Sequence, residues 1–279
     1  MHDTAEQAIE TARSYYDSDD ADHFYASIWG GEDIHVGLYA SDDEPIADAS
    51  RRTVARMAEL AGPIDAGTRV LDIGSGYAGS MRWLARHHGC RCVALNLSTR
   101  ENERARALNA EQGLAEAIEV VDGAFEHLPF DDGRFDLLWS QDAFLHSGDR
   151  KQVLSEAARV LAPGGRFVFT DPMRADACPE GVLDPILERL MLTDLGSPGF
   201  YRETLERLGL RCVTFEDHSE QLVAHYGRVR EELLARRQEL AGRVSDAYAE
   251  RMARGLAHWV DGGRAGHLVW GIFVFEKPS

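Results

Sequence analysis

The residues with the clearest chemical potential lie in VLDIGSGYAG (70–79), where Gly74, Gly76 and Gly79 have a G-x-G-x-x-G spacing. An apolar run precedes the glycines, so the pattern predicts a strand, a sharp turn and the start of a helix. Glycines at such a turn let a ligand approach the backbone closely. Asp72 precedes Gly74 by two residues and would place a carboxylate beside that ligand. The stretch therefore predicts a small-molecule site that suits a positively charged group.

Two ligands are compatible with this loop, the dinucleotide of a nicotinamide-dependent oxidoreductase and S-adenosylmethionine. The Asp72 carboxylate disfavours a pyrophosphate and suits the cationic amino-acid portion of S-adenosylmethionine. LPFDDGRFDLLWSQ (128–141) and RVLAPGGRFVFTDP (159–172) resemble the further motifs of class I S-adenosylmethionine-dependent methyltransferases. Each motif alone is also compatible with a turn before a buried strand. Three of them in order favour the methyltransferase interpretation.

That resemblance implies a set of cofactor-binding positions that follow successive strands. They are Asp72, Gly74, Ser75, Gly76, Asn96, Leu97, Ala124, Phe125, Ser140 and Gln141. Asn96 occupies a place where the class usually has an acid for the ribose hydroxyls, and an amide can both accept from and donate to hydroxyls. Ala124 and Phe125 occupy the place of an acid that usually faces the adenine amine. We expect backbone groups and Phe125 to hold the adenine edge instead, with Asp122 and Glu126 as further candidates.

The elements that must position these residues follow an alternating pattern. Short apolar runs at 69–74, 90–97, 118–123, 135–142, 165–172 and 210–217 are separated by mostly helical stretches, and a last run spans 267–278. This alternation predicts an α/β fold with a mostly parallel sheet, in which the last strand is a candidate antiparallel strand. APGG (162–165) predicts a turn that ends a helix before a strand. We expect an N-terminal helical lid segment (1–62), a main domain (63–279) and a helical insertion at about 221–262.

The amino-acid composition limits the classes of binding partner that the protein can have. The formal net charge of −17 argues against nucleic acid and anionic membranes as partners. The chain has no apolar run of membrane-spanning length and begins without a signal-like segment, so we expect a soluble, cytoplasmic protein. Its four cysteines have no zinc-site spacing, and we predict no metal.

A narrower resemblance extends from near residue 13 to near residue 276. The stretches that carry it are YYDSDDADHFYASIWGGEDIHVGLY (15–39), LDIGSGY (71–77), LNLS (95–98), WSQDAFLHSGDR (139–150), TDPMRADACPEGVLDPIL (170–187), GSPGFYRE (196–203), HYGRVREEL (225–233) and HWVDGGRAGHLVWGIF (258–273). They resemble the sarcosine/dimethylglycine N-methyltransferases, which make glycine betaine. The resemblance implies a Rossmann-like, seven-stranded sheet with an antiparallel last strand and S-adenosylmethionine as the methyl donor. It also implies small methylamine acceptors, namely sarcosine and dimethylglycine.

Methyl transfer to an amine needs positioning, exclusion of water and aromatic faces for a methylated ammonium. We predict His146, Trp29 and Tyr25 as the catalytic group. The predicted substrate-binding residues are His35, Tyr201, Arg202, Tyr226 and Arg174, and Arg228 is a further candidate for the acceptor carboxylate. Three alternatives stay open: another small amine as acceptor, an NAD-dependent oxidoreductase, and a non-catalytic cofactor-binding module. We expect a monomer or a homodimer.

Overall fold

The structure, a computed structural model, describes residues 18–29 and 31–279. Residues 1–17 and Gly30 belong to the predicted lid segment and lie outside the described residues. The strands are β1 (Arg69–Ile73), β2 (Arg91–Asn96), β3 (Ile118–Asp122), β4 (Phe135–Gln141), β5 (Leu161–Thr170), β6 (Met173–Arg174), β7 (Arg211–Asp217), β8 (Leu268–Val269) and β9 (Gly271–Glu276). Seven of these strands form one sheet in the order β3-β2-β1-β4-β5-β9-β7, and β6 and β8 form a separate pair.

The helices that connect and cover the strands are α1 (Asp19–Ile28), α2 (Ile46–Ala61), α3 (Gly79–His88), α4 (Thr99–Glu111), α5 (Arg150–Val160), α6 (Asp184–Leu190), α7 (Pro198–Arg207), α8 (Ser219–Ala235), α9 (Arg237–Leu240) and α10 (Asp246–Arg264). Four of them begin after a serine whose hydroxyl accepts a hydrogen bond from a first-turn N–H, namely Ser18, Ser98, Ser197 and Ser245. Such caps satisfy backbone donors that the helix itself leaves unpaired.

The predicted fold class is confirmed. Strands β1 to β5 pair in parallel, and β9 runs antiparallel to both of its neighbours, β5 and β7. Each of the six apolar runs overlaps one sheet strand. The carboxyl ends of β1, β2 and β4 therefore meet at one edge, where ligands bind in open α/β sheets.

Two details differ from the prediction. APGG is not a turn before the strand, because β5 begins at Leu161, directly after α5. Leu161 pairs with Phe135 and Arg166 pairs with Leu137, so the proline and glycines form a bulge inside the strand. The last apolar run is also divided. The Trp270 N–H donates to the Ser219 hydroxyl instead of a strand partner, and this separates β8 from β9.

Three hydrophobic clusters hold these elements together. One lies between the sheet and helices α5 and α7, and another lies between the sheet and helices α2 and α3. The third, which we call the outer cluster, joins α1, α6, α8 and α10 through residues such as Phe24, Trp29, Tyr226, Met252 and Trp259. None of the helices described has both the length and the apolar character needed to cross a membrane.

Candidate active site

The glycine loop joins β1 to α3 in strained backbone conformations that favour glycine. Gly74 has φ +83°, and its N–H donates to the Leu95 carbonyl over 2.9 Å. A Cβ at Gly74 would overlap with the Cβ of Ala143. At Gly79, a Cβ would meet the Asp33 carboxylate and the Glu32 carbonyl. The glycines therefore let two other segments approach the start of the helix.

A cleft of about 580 Å³, which we call the loop cleft, opens in front of this turn. Its lining residues come from the carboxyl ends of β1, β2, β3 and β4, from the start of α4 and from the segment after α1. They are Ile34, Gly74, Gly76, Asn96, Leu97, Ser98, Glu101, Phe125, Gln141, Asp142, Ala143 and His146. The structure thus brings six of the predicted cofactor residues into one cleft, counting Gly74, Gly76, Asn96, Leu97, Phe125 and Gln141.

A smaller acidic pocket adjoins the loop cleft and shares Ile34, Gly74, Gly76 and Gln141 with it. The acidic pocket contains Asp72 and Ser75 of the predicted set, together with Glu32, Asp33 and His35. Burial raises the pKa of Asp72 to about 8, an effect that the charge of His35 reduces and that of Asp33 reinforces. Burial alone would lower the pKa of His35, but the Asp33 carboxylate, whose Oδ1 lies 3.6 Å from Nε2 of His35, outweighs this effect together with Asp142 and raises that pKa. Three carboxyl groups in one small pocket suit a cationic group.

Glu101 is a lining residue that sequence reasoning missed. Its N–H donates to the Ser98 hydroxyl at the start of α4, and its carboxylate accepts a 2.8 Å hydrogen bond from Nδ2 of Asn96. The carboxylate absent from the end of β2 is thereby supplied from the next helix. The S-x-x-E pattern of a capping box marks this position, although Glu101 bonds Asn96 instead of closing the box in the usual way.

Two predicted cofactor residues line neither the loop cleft nor the acidic pocket. Ala124 precedes Phe125 without lining the loop cleft, and the Ser140 hydroxyl donates to the Ile73 carbonyl over 2.7 Å, which ties β4 to β1. Gln141 accepts from the Trp139 indole over 2.8 Å, while its own Nε2 is buried without a hydrogen-bond partner among the described residues. The buried Ser75 hydroxyl is also without a partner there. A ligand with polar groups is therefore needed to complete this site.

A third cavity, which we call the aromatic pocket, meets the loop cleft at three shared residues: Ile34, Asp142 and His146. Its other lining residues are Tyr25, Trp29, Leu145, Pro172, Arg189, Leu190, Tyr226, Met252, Leu256 and Trp259. The aromatic rings of this pocket form a chain of contacts. The ring centroids of Tyr25 and Trp29 are 5.2 Å apart, those of Trp29 and Tyr226 are 5.9 Å apart, and those of Tyr226 and Trp259 are 4.9 Å apart. Most of this pocket belongs to the outer cluster.

His146 is placed between the two cavities by a short 3-10 helix, Phe144–His146. The Leu145 N–H donates to the Asp171 carboxylate over 3.0 Å, which fixes this turn to the end of β5. Burial, reinforced by the charges of Arg189 and Arg150, lowers the pKa of His146 to about 4. The imidazole is therefore neutral at physiological pH and retains one nitrogen lone pair.

Asp142 holds the segment after α1 against the sheet. This residue has φ +52°, and its carboxylate accepts hydrogen bonds from the Val36 N–H (2.7 Å), the Thr170 hydroxyl (2.7 Å) and the Trp270 indole (2.8 Å). The buried His225 ring supports the same segment, because its Nδ1 accepts from the Gly37 N–H at 3.2 Å. The residues from 33 to 39 are thereby fixed over the cavities.

Several predicted substrate residues lie elsewhere. Tyr201 is fully buried in the core, where its hydroxyl donates to Asp171 over 2.6 Å, and Arg202 is exposed on α7. Arg174 lines a separate surface pocket and pairs with Asp194 at 3.5 Å. Arg228 pairs with Glu231 at 3.1 Å. His35 lines the acidic pocket, whereas Tyr25, Trp29, Tyr226 and His146 all line the aromatic pocket.

Arg189 is the second residue that sequence reasoning missed. It lies on α6, a short helix whose packing against α10 no local pattern reveals, and it lines the aromatic pocket. Within residues 18–29 and 31–279, no group of three or more His, Cys, Asp or Glu side chains is arranged to hold a metal ion.

Comparison with known proteins agrees with this geometry. Residues 71–169 match a family model described as a methyltransferase domain. The chain is 63% identical to the sarcosine/dimethylglycine N-methyltransferase of Halorhodospira halochloris over 98% of each chain. It is 53% identical to the enzyme of that name from Aphanothece halophytica, over 98% of this chain and 99% of that one.

A solved structure is similar over nearly the full length. The crystal structure of a Galdieria sulphuraria protein described as a sarcosine dimethylglycine methyltransferase aligns with a TM-score of 0.90 and 43% identity, covering 95% of this chain and 99% of that one. The resemblance inferred from the sequence motifs is thereby confirmed. The chain belongs to the family of sarcosine/dimethylglycine N-methyltransferases.

Proposed function

We propose that this protein is an S-adenosylmethionine-dependent N-methyltransferase that methylates sarcosine and N,N-dimethylglycine, which gives dimethylglycine and glycine betaine. The observation that carries this proposal is the meeting of the loop cleft and the aromatic pocket at His146. A reaction between two bound molecules needs two adjoining sites with the reacting groups at their junction. The chain's family membership supports the same acceptors.

The residues of the loop cleft and the acidic pocket fit S-adenosylmethionine. Asp72 suits its ammonium group, Asn96 and Glu101 suit the ribose hydroxyls, and Phe125 suits the adenine face. The unpartnered Nε2 of Gln141 and hydroxyl of Ser75 are the groups that such a ligand would satisfy. When bound, S-adenosylmethionine supplies an activated methyl group on a sulfonium.

The aromatic pocket suits an amine that becomes more methylated and finally quaternary. Ring faces stabilise methylated ammonium groups that have few or no N–H donors, by about 0.5 to 2 kcal/mol each. Trp29, Tyr25, Tyr226 and Trp259 are buried, so the pocket also excludes water that would compete for the amine.

His146 contributes a neutral imidazole at the junction. A neutral imidazole can accept a hydrogen bond from the single N–H of neutral sarcosine, which orients its nitrogen lone pair. Neutral dimethylglycine has no N–H, so the orientation of its nitrogen is left to the walls of the aromatic pocket. Because its pKa is about 4, His146 can hold the proton of the acceptor's ammonium only transiently, so this proton is released to solvent before the free amine attacks the methyl group. The same low pKa keeps a second positive charge away from the cationic reactants.

The organisation of the chain follows from this site. We propose that residues 1–62, of which 18–29 and 31–62 are described, form a lid segment on a main domain (63–279), and that the insertion at about 221–262 forms the far wall of the aromatic pocket. Ile34 and Trp29 of this segment line the cavities, so the segment contributes directly to both proposed binding sites. We also propose that the protein acts in the cytoplasm, as a monomer or homodimer, without nucleic-acid or membrane partners.

An acceptor screen with methyl-labelled S-adenosylmethionine tests the function. Glycine, sarcosine, dimethylglycine and an unrelated aromatic amine are each supplied, and the labelled products are identified by mass. We expect label in dimethylglycine from sarcosine and in betaine from dimethylglycine, with little product from glycine. Label only in the aromatic amine would overturn the proposal. Calorimetric binding of NADH without binding of S-adenosylmethionine would favour the oxidoreductase instead.

A further inference from the structure

We infer that Arg189, assisted by the indole N–H groups of Trp29 and Trp259, binds the carboxylate of the acceptor amino acid. The inference rests on the proposed function, because it assigns one group of the proposed substrates. A carboxylate that enters a buried pocket needs charged or polar donors to replace its water. Arg189 carries the only full positive charge among the described residues that line the aromatic pocket, since His146 is neutral there.

The hydrogen-bonding state of Arg189 is consistent with a ligand-binding role. No acidic side chain of the described residues forms an ion pair with it, and its Nη1 contacts only the thioether sulfur of Met252, at 3.4 Å. Its Nε is buried without a hydrogen-bond partner among these residues. A thioether is a weak acceptor, so the guanidinium keeps most of its donors for another group.

Two more unsatisfied donors belong to the same pocket. The indole nitrogens of Trp29 and Trp259 are buried, and neither has a hydrogen-bond partner in the part of the chain that the structure describes. Buried indole N–H groups usually find a partner. The three residues that carry these unpartnered donors all line one cavity, which suits a ligand rich in acceptors, and a carboxylate supplies two acceptor oxygens.

The packing of α10 makes room for this arginine. Gly255 lies inside that helix, and a Cβ there would overlap with the Cδ and Nε atoms of Arg189. Alanine would favour the helix more than glycine does. Glycine at position 255 therefore leaves the space in which the Arg189 side chain crosses the helix at the wall of the pocket.

None of the arginines chosen from the sequence lines the aromatic pocket, because Arg174 pairs with Asp194, Arg228 pairs with Glu231 and Arg202 is exposed on α7. Arg189 also borders a surface groove that contains Arg251, Arg254, His258 and Glu188. If Arg189 served only that groove, its removal would leave acceptor binding unchanged. This difference makes the inference testable.

The first test compares Arg189→Met and Arg189→Lys with the wild-type enzyme. Binding of dimethylglycine is measured by calorimetry in the presence of S-adenosylhomocysteine, and steady-state kinetics give KM and kcat. We expect Arg189→Met to raise the Kd and KM for dimethylglycine roughly 10- to 100-fold, because a charge-assisted hydrogen bond is lost. Arg189→Lys should have an intermediate effect, because lysine keeps the positive charge but lacks the planar guanidinium that can donate two hydrogen bonds to one carboxylate. Cofactor affinity should stay within about twofold of wild type.

A substrate without the carboxylate distinguishes the loss of carboxylate binding from a general loss of enzyme activity. Dimethylethanolamine has the same tertiary amine with a hydroxyl in place of the carboxylate. Arg189→Met should reduce kcat/KM for dimethylglycine towards the value for dimethylethanolamine and leave the latter value unchanged. Equal losses for both amines would overturn the inference. The exposed Arg254→Gln is the matched control for loss of one arginine in the same region, and it should leave both values unchanged.

Gly255→Ala tests the same contact without removing the guanidinium. We expect a higher KM for dimethylglycine with unchanged or improved thermal stability. Gly227→Ala on α8 is the matched control, because a Cβ there meets no atom within 4 Å. An unchanged KM in both Gly255→Ala and Arg189→Met would overturn the inference. If the wild-type enzyme itself fails to methylate dimethylglycine, the proposed function fails first, which is a separate outcome.

Discussion

The indole Nε1 of Trp270 donates a 2.8 Å hydrogen bond to Oδ1 of Asp142, which connects the last part of the chain to the end of β4. The other oxygen of Asp142 accepts from the Val36 N–H of the lid. A single carboxylate therefore joins three regions that are far apart in sequence. It also lines both the loop cleft and the aromatic pocket.

We predict that Asp142→Asn loosens the lid. An amide presents an NH₂ group to at least one of the three donors that Asp142 now satisfies, and an unsatisfied buried donor costs about 1 to 3 kcal/mol. Hydrogen exchange in residues 33–39 should become faster, and cofactor affinity should fall. Thr170→Val removes only one donor and keeps the shape, so its effect should be smaller. Unchanged exchange in Asp142→Asn would contradict this role.

The raised pKa of Asp72 leads us to predict that cofactor binding depends on pH. With a pKa of about 8 in the free protein, Asp72 is mostly protonated at neutral pH, and a cationic ligand favours its ionised form. The affinity for S-adenosylmethionine should rise as the pH increases from 6 to 8, by up to about tenfold per pH unit, with release of a proton. Calorimetry in two buffers of different ionisation enthalpy measures that proton.

Asp72→Asn supplies the control for this prediction and should flatten the pH dependence. The same raised pKa affects the stability of the free protein. Because its pKa is raised from 3.8 to about 8, Asp72 stabilises the fold most at low pH, and this contribution is lost as the pH rises through about 8. Chemical denaturation of the free protein should show that Asp72→Asn has its largest stabilising effect near pH 8. A variant with the wild-type pH profile would contradict the assignment.

His146→Ala should lower kcat by roughly 100-fold, the usual range for a group that assists proton movement. Its effect on cofactor affinity should be small, because His146 lies at the junction and away from the acidic pocket. With its pKa near 4, protonation of His146 should not limit the rate above about pH 5. The exposed His127→Ala is the control. Equal losses in turnover and affinity would indicate a structural histidine.

Trp29→Phe should raise the KM for dimethylglycine by a few-fold, and Trp29→Ala by about tenfold or more, because the ring face that contacts the ammonium is reduced or lost. Trp29 also packs against Phe24 and Tyr25, so Trp29→Ala is expected to lose about 3 to 5 kcal/mol of stability. Thermal melting separates the two effects. An unchanged KM in a folded Trp29→Phe variant would indicate that Trp29 contributes to packing and not to acceptor binding.

Much of the fold follows from local sequence patterns. Buried runs such as RVLDI at β1 and RCVALN at β2 specify strands, and the glycine loop between β1 and α3 specifies the ligand edge. The contacts that pattern analysis did not predict are those made across the fold. Glu101 reaches Asn96 only after α4 has formed, and Arg189 reaches the aromatic pocket only because α6 packs on α10. Tyr201 is the opposite case. Its neighbours in the sequence indicated a binding site, but its hydroxyl donates a hydrogen bond to Asp171 in the core.

The aromatic pocket belongs mainly to the outer cluster, while the loop cleft is built on the sheet edge. Substitutions in Tyr226, Met252 or Trp259 therefore change packing that the sheet does not depend on. Evolution can retune which amine is accepted by remodelling this cluster, with the inherited cofactor machinery left intact.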